Sequence, residues 1–267
     1  MGLLSSVRKG KSPMPPRLVL YGTEGIGKST YGARAPVPIF VPTEDGLGEI
    51  DCHAFPLAKT FVEVMEHLDA LHNEPHDYQT VVVDSLDWLE RLIWDKVCAE
   101  HKVKSIEKVD GGYSKGYTHA LTPWREFLAR LDALRLNRGM VVICIAHAKV
   151  EKFEDPESTA YDRYSPRLHK HATALVTEWA DAVLFATRRF RTETEETGFN
   201  QKRTIAAPVG KDGGERILRT VGSPACIAKN RYNLPAEVAL SWDALVAAMS
   251  AADNVPATAT EGAPVNG

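Results

Sequence analysis

The chain has 267 residues, of which 44% are hydrophobic and 25% charged, and a formal net charge of -3. That length and mixture suit one sizeable domain with its own core. The charge excludes a polycation that coats nucleic acid indiscriminately, so any DNA contact must come from a local basic patch. Cys52, Cys98, Cys144 and Cys226 lie far apart with no Cys-x-x-Cys pair. Neither a zinc module nor a disulfide framework is expected, and a reducing, cytoplasmic compartment is. No run of about 18 apolar residues occurs, which argues against a membrane span. Leu3 and Leu4 precede Arg8, Lys9 and Lys11, the wrong order for a secretory leader.

Residues 1–16, enriched in Ser, Gly, Lys and Pro, read as a flexible arm. Arg17–Tyr21 (RLVLY) predicts a short strand ahead of a Gly-rich stretch, and Ile39–Pro42 a second strand ending at Thr43-Glu44-Asp45-Gly46. Lys59–His72 repeats Phe61, Val64, Met65, Leu68 and Leu71 at helical spacing. Thr80–Asp84 (TVVVD) is continuously apolar up to its acid, as a strand covered on both faces should be. Leu86–His101 reads as a helix. Thr122-Pro123 reads as the cap and first residue of another, burying Trp124, Phe127, Leu128, Leu131 and Leu134. Met140–Ala146 is a buried strand ending at His147, and Asp181–Phe190 a further one. Turns at Gly198, Gly210 and Gly213-Gly214 suggest one or two β-hairpins, Ser241–Ala251 a final helix, and 253–267 a disordered tail. The alternation predicts an α/β fold with a mostly parallel central sheet flanked by helices, occupying 17–252, with its site at the carboxyl ends of the strands.

Gly22-Thr23-Glu24-Gly25-Ile26-Gly27-Lys28-Ser29 fits G-x-x-x-x-G-K-[ST] between a strand and a helix, with Thr30 next. Such a loop turns its backbone N–H groups onto phosphates. Lys28 reaches the β- and γ-phosphates, and Ser29 ligates Mg²⁺. The nucleotide expected is ATP, although no base-reading motif separates ATP from GTP. Asp84, an acid at the end of a buried strand, is the second candidate Mg²⁺ ligand. The residue after it is Ser85, so a water-activating base must come from elsewhere. Glu44 is the candidate and Asp45 its rival. His147, a polar residue at a strand end, is placed to touch the γ-phosphate and report its loss.

Two long segments mix cations with rings. In 102–118 these include Lys104, Lys108, Tyr113 and Lys115; in 149–171, Arg163, Tyr164, Arg167 and Lys170. Both read as loops suited to a single-stranded nucleic-acid path, in which cations follow phosphates and rings stack on bases.

In order and spacing, GTEGIGKST, IFVPTEDGL, TVVVDS, VVICIAHAKV and ACIAKNRYNLP resemble the RecA-fold recombinases. The match is best to phage RecA-like ATPases of the Sak type, linked to single-strand annealing and homologous recombination. The resemblance spans about Arg17 to about Pro235. It implies a RecA-like P-loop core, a catalytic Glu at Glu44, a strand-end sensor at His147 and DNA-binding loops at 102–118 and 149–171. Lys229 and Arg231 resemble a basic pair inserted towards a neighbouring subunit's γ-phosphate. A phage-encoded homo-oligomer, filament or ring, is implied, hydrolysing ATP between subunits on single-stranded DNA and working with a single-strand-binding protein. Alternatives are a regulatory or scaffold ATPase indifferent to DNA, and a hexameric helicase-like motor.

Overall fold

The structure, a computed structural model, describes residues 3–155, 159–196, 202–208 and 214–253. After a 3-10 turn at Leu3–Ser6 come β1 (Arg17–Gly22), α1 (Lys28–Ala33), β2 (Pro38–Pro42) and β3 (His53–Ala54). α2 (Phe61–Asn73), β4 (Thr80–Asp84) and α3 (Leu86–Glu100) follow. A second 3-10 segment (Ile106–Gly111), α4 (Lys115–His119) and α5 (Leu121–Arg138) lead into β5 (Val141–Phe153), β6 (Tyr161–Pro166), α6 (Lys170–Trp179) and β7 (Ala182–Arg188). The remainder comprises β8 (Phe190–Glu196), β9 (Lys202–Pro208), β10 (Arg216–Arg219), β11 (Lys229–Asn230), β12 (Glu237–Ala239) and α7 (Trp242–Asp253).

The main sheet runs β12-β10-β7-β1-β5-β4-β2-β3. From β7 to β3 every neighbour is parallel, and β10 and β12 close one edge antiparallel. The apolar runs are continuous because both faces of the sheet are covered. Val19, Tyr21, Val81, Val83, Val142 and Cys144 pack under α2, α3, α5 and α6. Their alternates Leu18, Leu20, Val82, Ile143 and Ile145 pack with Tyr31 of α1 and with Trp242 and Leu245 of α7. Each such side chain, fully buried, contributes about 1.5–3 kcal/mol. The expected α/β fold with a mostly parallel sheet flanked by helices is the fold observed.

Several boundaries differ from the sequence reading. Thr122 is not the cap of its helix. Ala120 is, because α4 runs almost directly into α5 and Thr122 lies inside the first turn. β5 does not stop at His147 but continues to Phe153, paired antiparallel with β6 from Ala148↔Pro166 to Phe153↔Tyr161. The segment 149–171 is therefore mainly a hairpin. The segment 102–118 is not an open loop either: Ile106 and Val109 are buried, and Tyr117 stacks on His169 with ring centroids 4.0 Å apart. The strand expected at Asp181–Phe190 breaks at Arg189 into β7 and β8. β8 pairs with β9 as the expected hairpin, whereas β10 and β12 join the main sheet. The turns at Gly198, Gly210 and Gly213 and the tail from 254 onward lie outside the described residues. No helix among the described residues is long and apolar enough to cross a membrane.

One buried acid makes the fold sensitive to pH. Glu90 of α3 accepts from the backbone N–H of His169 at 2.9 and 3.1 Å, capping α6. Burial pushes its carboxyl up from 4.5 to about 7, against that hydrogen bond. A raised folded pKa means that Glu90 costs nothing below its unfolded value. The penalty grows as pH rises towards 7, reaching about 3 kcal/mol at about 1.4 kcal/mol per pKa unit. His169, lowered by burial to about 4, acts in the opposite sense over an overlapping range. Comparing Glu90→Gln with the parent isolates the acid: in urea melts, the variant should gain relative stability between pH 5 and pH 8. A constant difference across that range would contradict the assignment.

Candidate nucleotide site

The sheet register assembles the site. Gly22 at the end of β1 stands beside His147 of β5 on one side and Ala186 of β7 on the other, and Pro42 of β2 beside Asp84 of β4. Four strand ends thus share one rim. β5 lies between β1 and β4, which sets His147 between the glycine-rich loop and Asp84. Gly22 is flush with its neighbour: a Cβ there would come within 2.4 Å of the Ala186 carbonyl oxygen. Gly27, at φ 105, caps α1 in the left-handed region that favours glycine. Ile26 is buried and anchors the loop to the core, while Thr23, Glu24, Gly25 and Thr30 are exposed.

Within the loop, Lys28 Nζ donates to the carbonyls of Gly22 (3.2 Å) and Thr23 (3.0 Å). Burial lowers its pKa, opposed by Asp84, Asp87 and Glu44. Ser29 Oγ donates to Asp84 Oδ2 at 2.6 Å. Burial raises the Asp84 carboxyl, against the pull of Ser29 and Lys28. These residues line a cleft of about 440 Å³ together with Glu24, Glu44, Asp45, His147 and Arg216.

Glu44 is fixed from behind. Thr43 N–H donates to the Asp84 carbonyl (2.8 Å), and Thr43 Oγ1 donates to the Ser85 carbonyl (2.7 Å) and accepts from the Ser85 N–H (2.9 Å). These bonds tie the end of β2 to the end of β4 and turn Glu44 into the cleft, whereas Asp45 is exposed. Burial raises the Glu44 pKa, with His147 opposing and Asp84 and Asp87 adding to it. His147 Nε2 lies 3.9 Å from Glu44 Oε1. Its Nδ1 lies 3.1 Å from Asp87 Oδ2, and its backbone N–H donates to Asp87 Oδ1 at 3.0 Å. Asp87 also accepts from Arg167 Nη2 at 2.7 Å. Burial alone would raise Asp87, but the hydrogen bonds from His147 and Arg167 prevail and hold it well below the usual carboxylate range.

The other expected residues fall in three places. Arg167 belongs to the loop network, not to a free hairpin face: besides Asp87 it approaches Glu24 at 3.6 Å. Arg163 pairs with Glu151 at 3.0 Å and lies 3.9 Å over the Phe153 ring, and Tyr164 stacks on Phe185. Lys104, Lys108, Tyr113, Lys115 and Lys170 are exposed, Tyr113 almost completely at 96%. Lys229 and Arg231 lie at the opposite rim, where β11 pairs with the start of β7. Lys229 Nζ donates to the carbonyls of Thr177 and Glu178, and Arg231 approaches Asp181 at 3.2 Å while remaining 57% exposed. They do not reach the cleft of their own protomer.

Sequence reasoning missed Thr43, Asp87 and Arg216. Asp87 sits one helical turn past Asp84, a spacing that also suits an ordinary helix-start acid. Arg216 gave no local signal, because its place beside Gly27 is set by the antiparallel pairing of β10 with β7.

A glycine-rich loop between a central strand and a helix, with Lys28, Ser29 and Asp84 converging in one cleft, defines a P-loop NTPase. Residues 14–232 match the AAA domain family, and the chain belongs to it. As a P-loop ATPase by family, it carries nucleotide binding and ATP hydrolysis as its chemistry. It is also similar to the SPbeta prophage-derived uncharacterized protein YorG of Bacillus subtilis (strain 168). The two are 26% identical over 172 residues, 63% of this chain and 49% of that protein. The chain thus spans about half the length of that curated relative.

Proposed function

We propose that the chain is an ATP-dependent, single-stranded-DNA-binding recombinase or annealing ATPase of the Sak type, phage-encoded, that hydrolyses ATP in a homo-oligomer. The observation that carries this reading is the continuity of β5. The strand that sets His147 beside Glu44 runs on into the β5–β6 hairpin, and Arg167 at the foot of that hairpin returns to Asp87 and Glu24. A change at the nucleotide thus has a covalent and ionic path to Arg163, Tyr164 and Lys170, the cations and ring that suit single-stranded DNA. The prophage origin of the similar protein accords with a phage role.

Within the site, Lys28 neutralises the β- and γ-phosphates and Glu44 accepts the proton of the attacking water. His147, held by Asp87 through Nδ1, turns Nε2 towards Glu44 and fixes its direction. Ser29 and Asp84 present hard oxygen donors in a cleft crowded by Glu44 and Asp87, a donor set that fits Mg²⁺. When bound, Mg²⁺ supplies charge neutralisation on the phosphates. In a head-to-tail assembly, Lys229 and Arg231 on the opposite rim are the cations that a neighbour's nucleotide would meet.

The test is steady-state ATP hydrolysis with and without single-stranded DNA over a salt series, with Lys28→Ala as the blank. Strong stimulation that fades as salt rises is expected. Hydrolysis indifferent to DNA would leave a P-loop ATPase of regulatory or scaffold type.

A further inference from the structure

The phosphate cleft does not end at Gly27. Gly27, Thr30 and Arg216 also line a second cleft of about 490 Å³, walled by Tyr31 and Arg34 of α1 and by Leu240–Asp243 at the β12–α7 corner. The two clefts are continuous through those shared residues. The C-terminal segment presses directly on the phosphate loop: a Cβ on Gly27 would meet Arg216 Nη1 at 3.1 Å and Leu240 Cδ2 at 3.9 Å. Tyr31 and Trp242 are fixed edge to face, with centroids 6.0 Å apart. The Tyr31 hydroxyl is buried with no hydrogen-bond partner among the described residues, an arrangement that costs stability unless a ligand supplies one.

We propose that this second cleft takes the base and ribose of the nucleoside triphosphate, making Arg216 and the β12–α7 corner the nucleoside half of the site. The proposal rests on the P-loop reading and adds a direction to it. Lys28, Ser29, Asp84 and Glu44 mark the β/γ end, so the sugar must leave at the far end, past Thr30 and Arg216. There the walls change from carboxylates to aromatic, aliphatic and guanidinium surfaces. A planar guanidinium such as Arg34 stacks on flat rings, and Ser241 and Asp243 offer oxygens to ribose hydroxyls. The volume is that of a small-molecule site. Nucleotide binding then clamps α7 onto the phosphate loop.

The experiment compares ATP with inorganic tripolyphosphate, which has phosphates but no nucleoside, by titration calorimetry on the full chain. Arg34→Ala and Asp243→Ala alter exposed side chains and should fold. Trp242→Phe keeps an aromatic in the core position. Expected is a weakening of ATP binding of about 5- to 100-fold, the worth of one stacked base, with tripolyphosphate affinity unchanged. Equal loss for both ligands, or no loss for either, overturns the nucleoside site and leaves the phosphate loop standing. A parent chain that binds neither ligand removes the P-loop reading, and this proposal with it.

Discussion

Glu44→Gln is expected to bind ATP as tightly as the parent chain and to hydrolyse it about 10²–10⁴-fold more slowly. Glutamine keeps the shape of the side chain and one acceptor oxygen but cannot take a proton. The phosphate contacts belong to Lys28 and the loop backbone, so affinity should survive. Two observations single out Glu44 over Asp45. Thr43 locks the backbone immediately before it to Asp84 and Ser85, and His147 Nε2 stands 3.9 Å from its carboxylate. The burial that raises its pKa moves it towards neutrality, the better range for a base at physiological pH. Single-turnover hydrolysis beside equilibrium nucleotide binding separates the two effects. Normal hydrolysis by Glu44→Gln would pass the role to Asp45, and Asp45→Asn would then show the loss.

Asp87→Asn should damage both stability and turnover. The carboxylate is 3% exposed and satisfies His147 twice and Arg167 once. Truncating one partner of a buried charge pair costs about 2–5 kcal/mol. Arg167 is 37% exposed, so solvent screening places the loss near the lower end, about 2 kcal/mol. The sign with pH follows from the depressed pKa. The contribution is present above the ordinary value of 3.8 and is lost as pH falls below it. The gap between parent and variant in urea melts should therefore hold from pH 8 to pH 5 and narrow in stronger acid. Turnover should fall by about 10- to 100-fold as His147 loses its anchor. Arg167→Ala leaves the His147–Asp87 contact intact. If it reproduces the whole kinetic loss, Arg167 and not His147 is what Asp87 positions.

Much of this site was legible because strand ends are legible. A buried strand in a covered sheet is an uninterrupted apolar run, and the first polar residue after it lies on the rim. Asp84, His147 and Glu44 could be read that way, and the loop from Gly22 to Ser29 from its spacing. What the residues did not disclose depends on pairing over long separations. Arg167 sits in a basic stretch whose composition suits many surfaces, and only folding brings it to Asp87. β5 beyond Ala146 alternates polar and apolar residues in a charged context, which hid a half-exposed strand behind the look of a loop. Ile106, Val109 and Tyr117 were masked by the glycines between them. Arg216 and Trp242 needed the antiparallel edge of the sheet, which no local pattern announces.

The place of β1 in the sheet also sets the order in which the molecule can be made. Both flanks of that strand are filled from far downstream: Arg17 aligns with Val142, and Leu18 with Ala182. A chain leaving the ribosome carries its phosphate loop out early, yet the strand beneath it has no sheet partner until β5 emerges, and its second edge stays open until β7 does. Pairings so distant in sequence close slowly and leave apolar edges exposed meanwhile. The glycine loop is thus among the first parts synthesised and among the last to acquire its shape. Nucleotide cannot help the nascent chain fold before most of the sheet is in place.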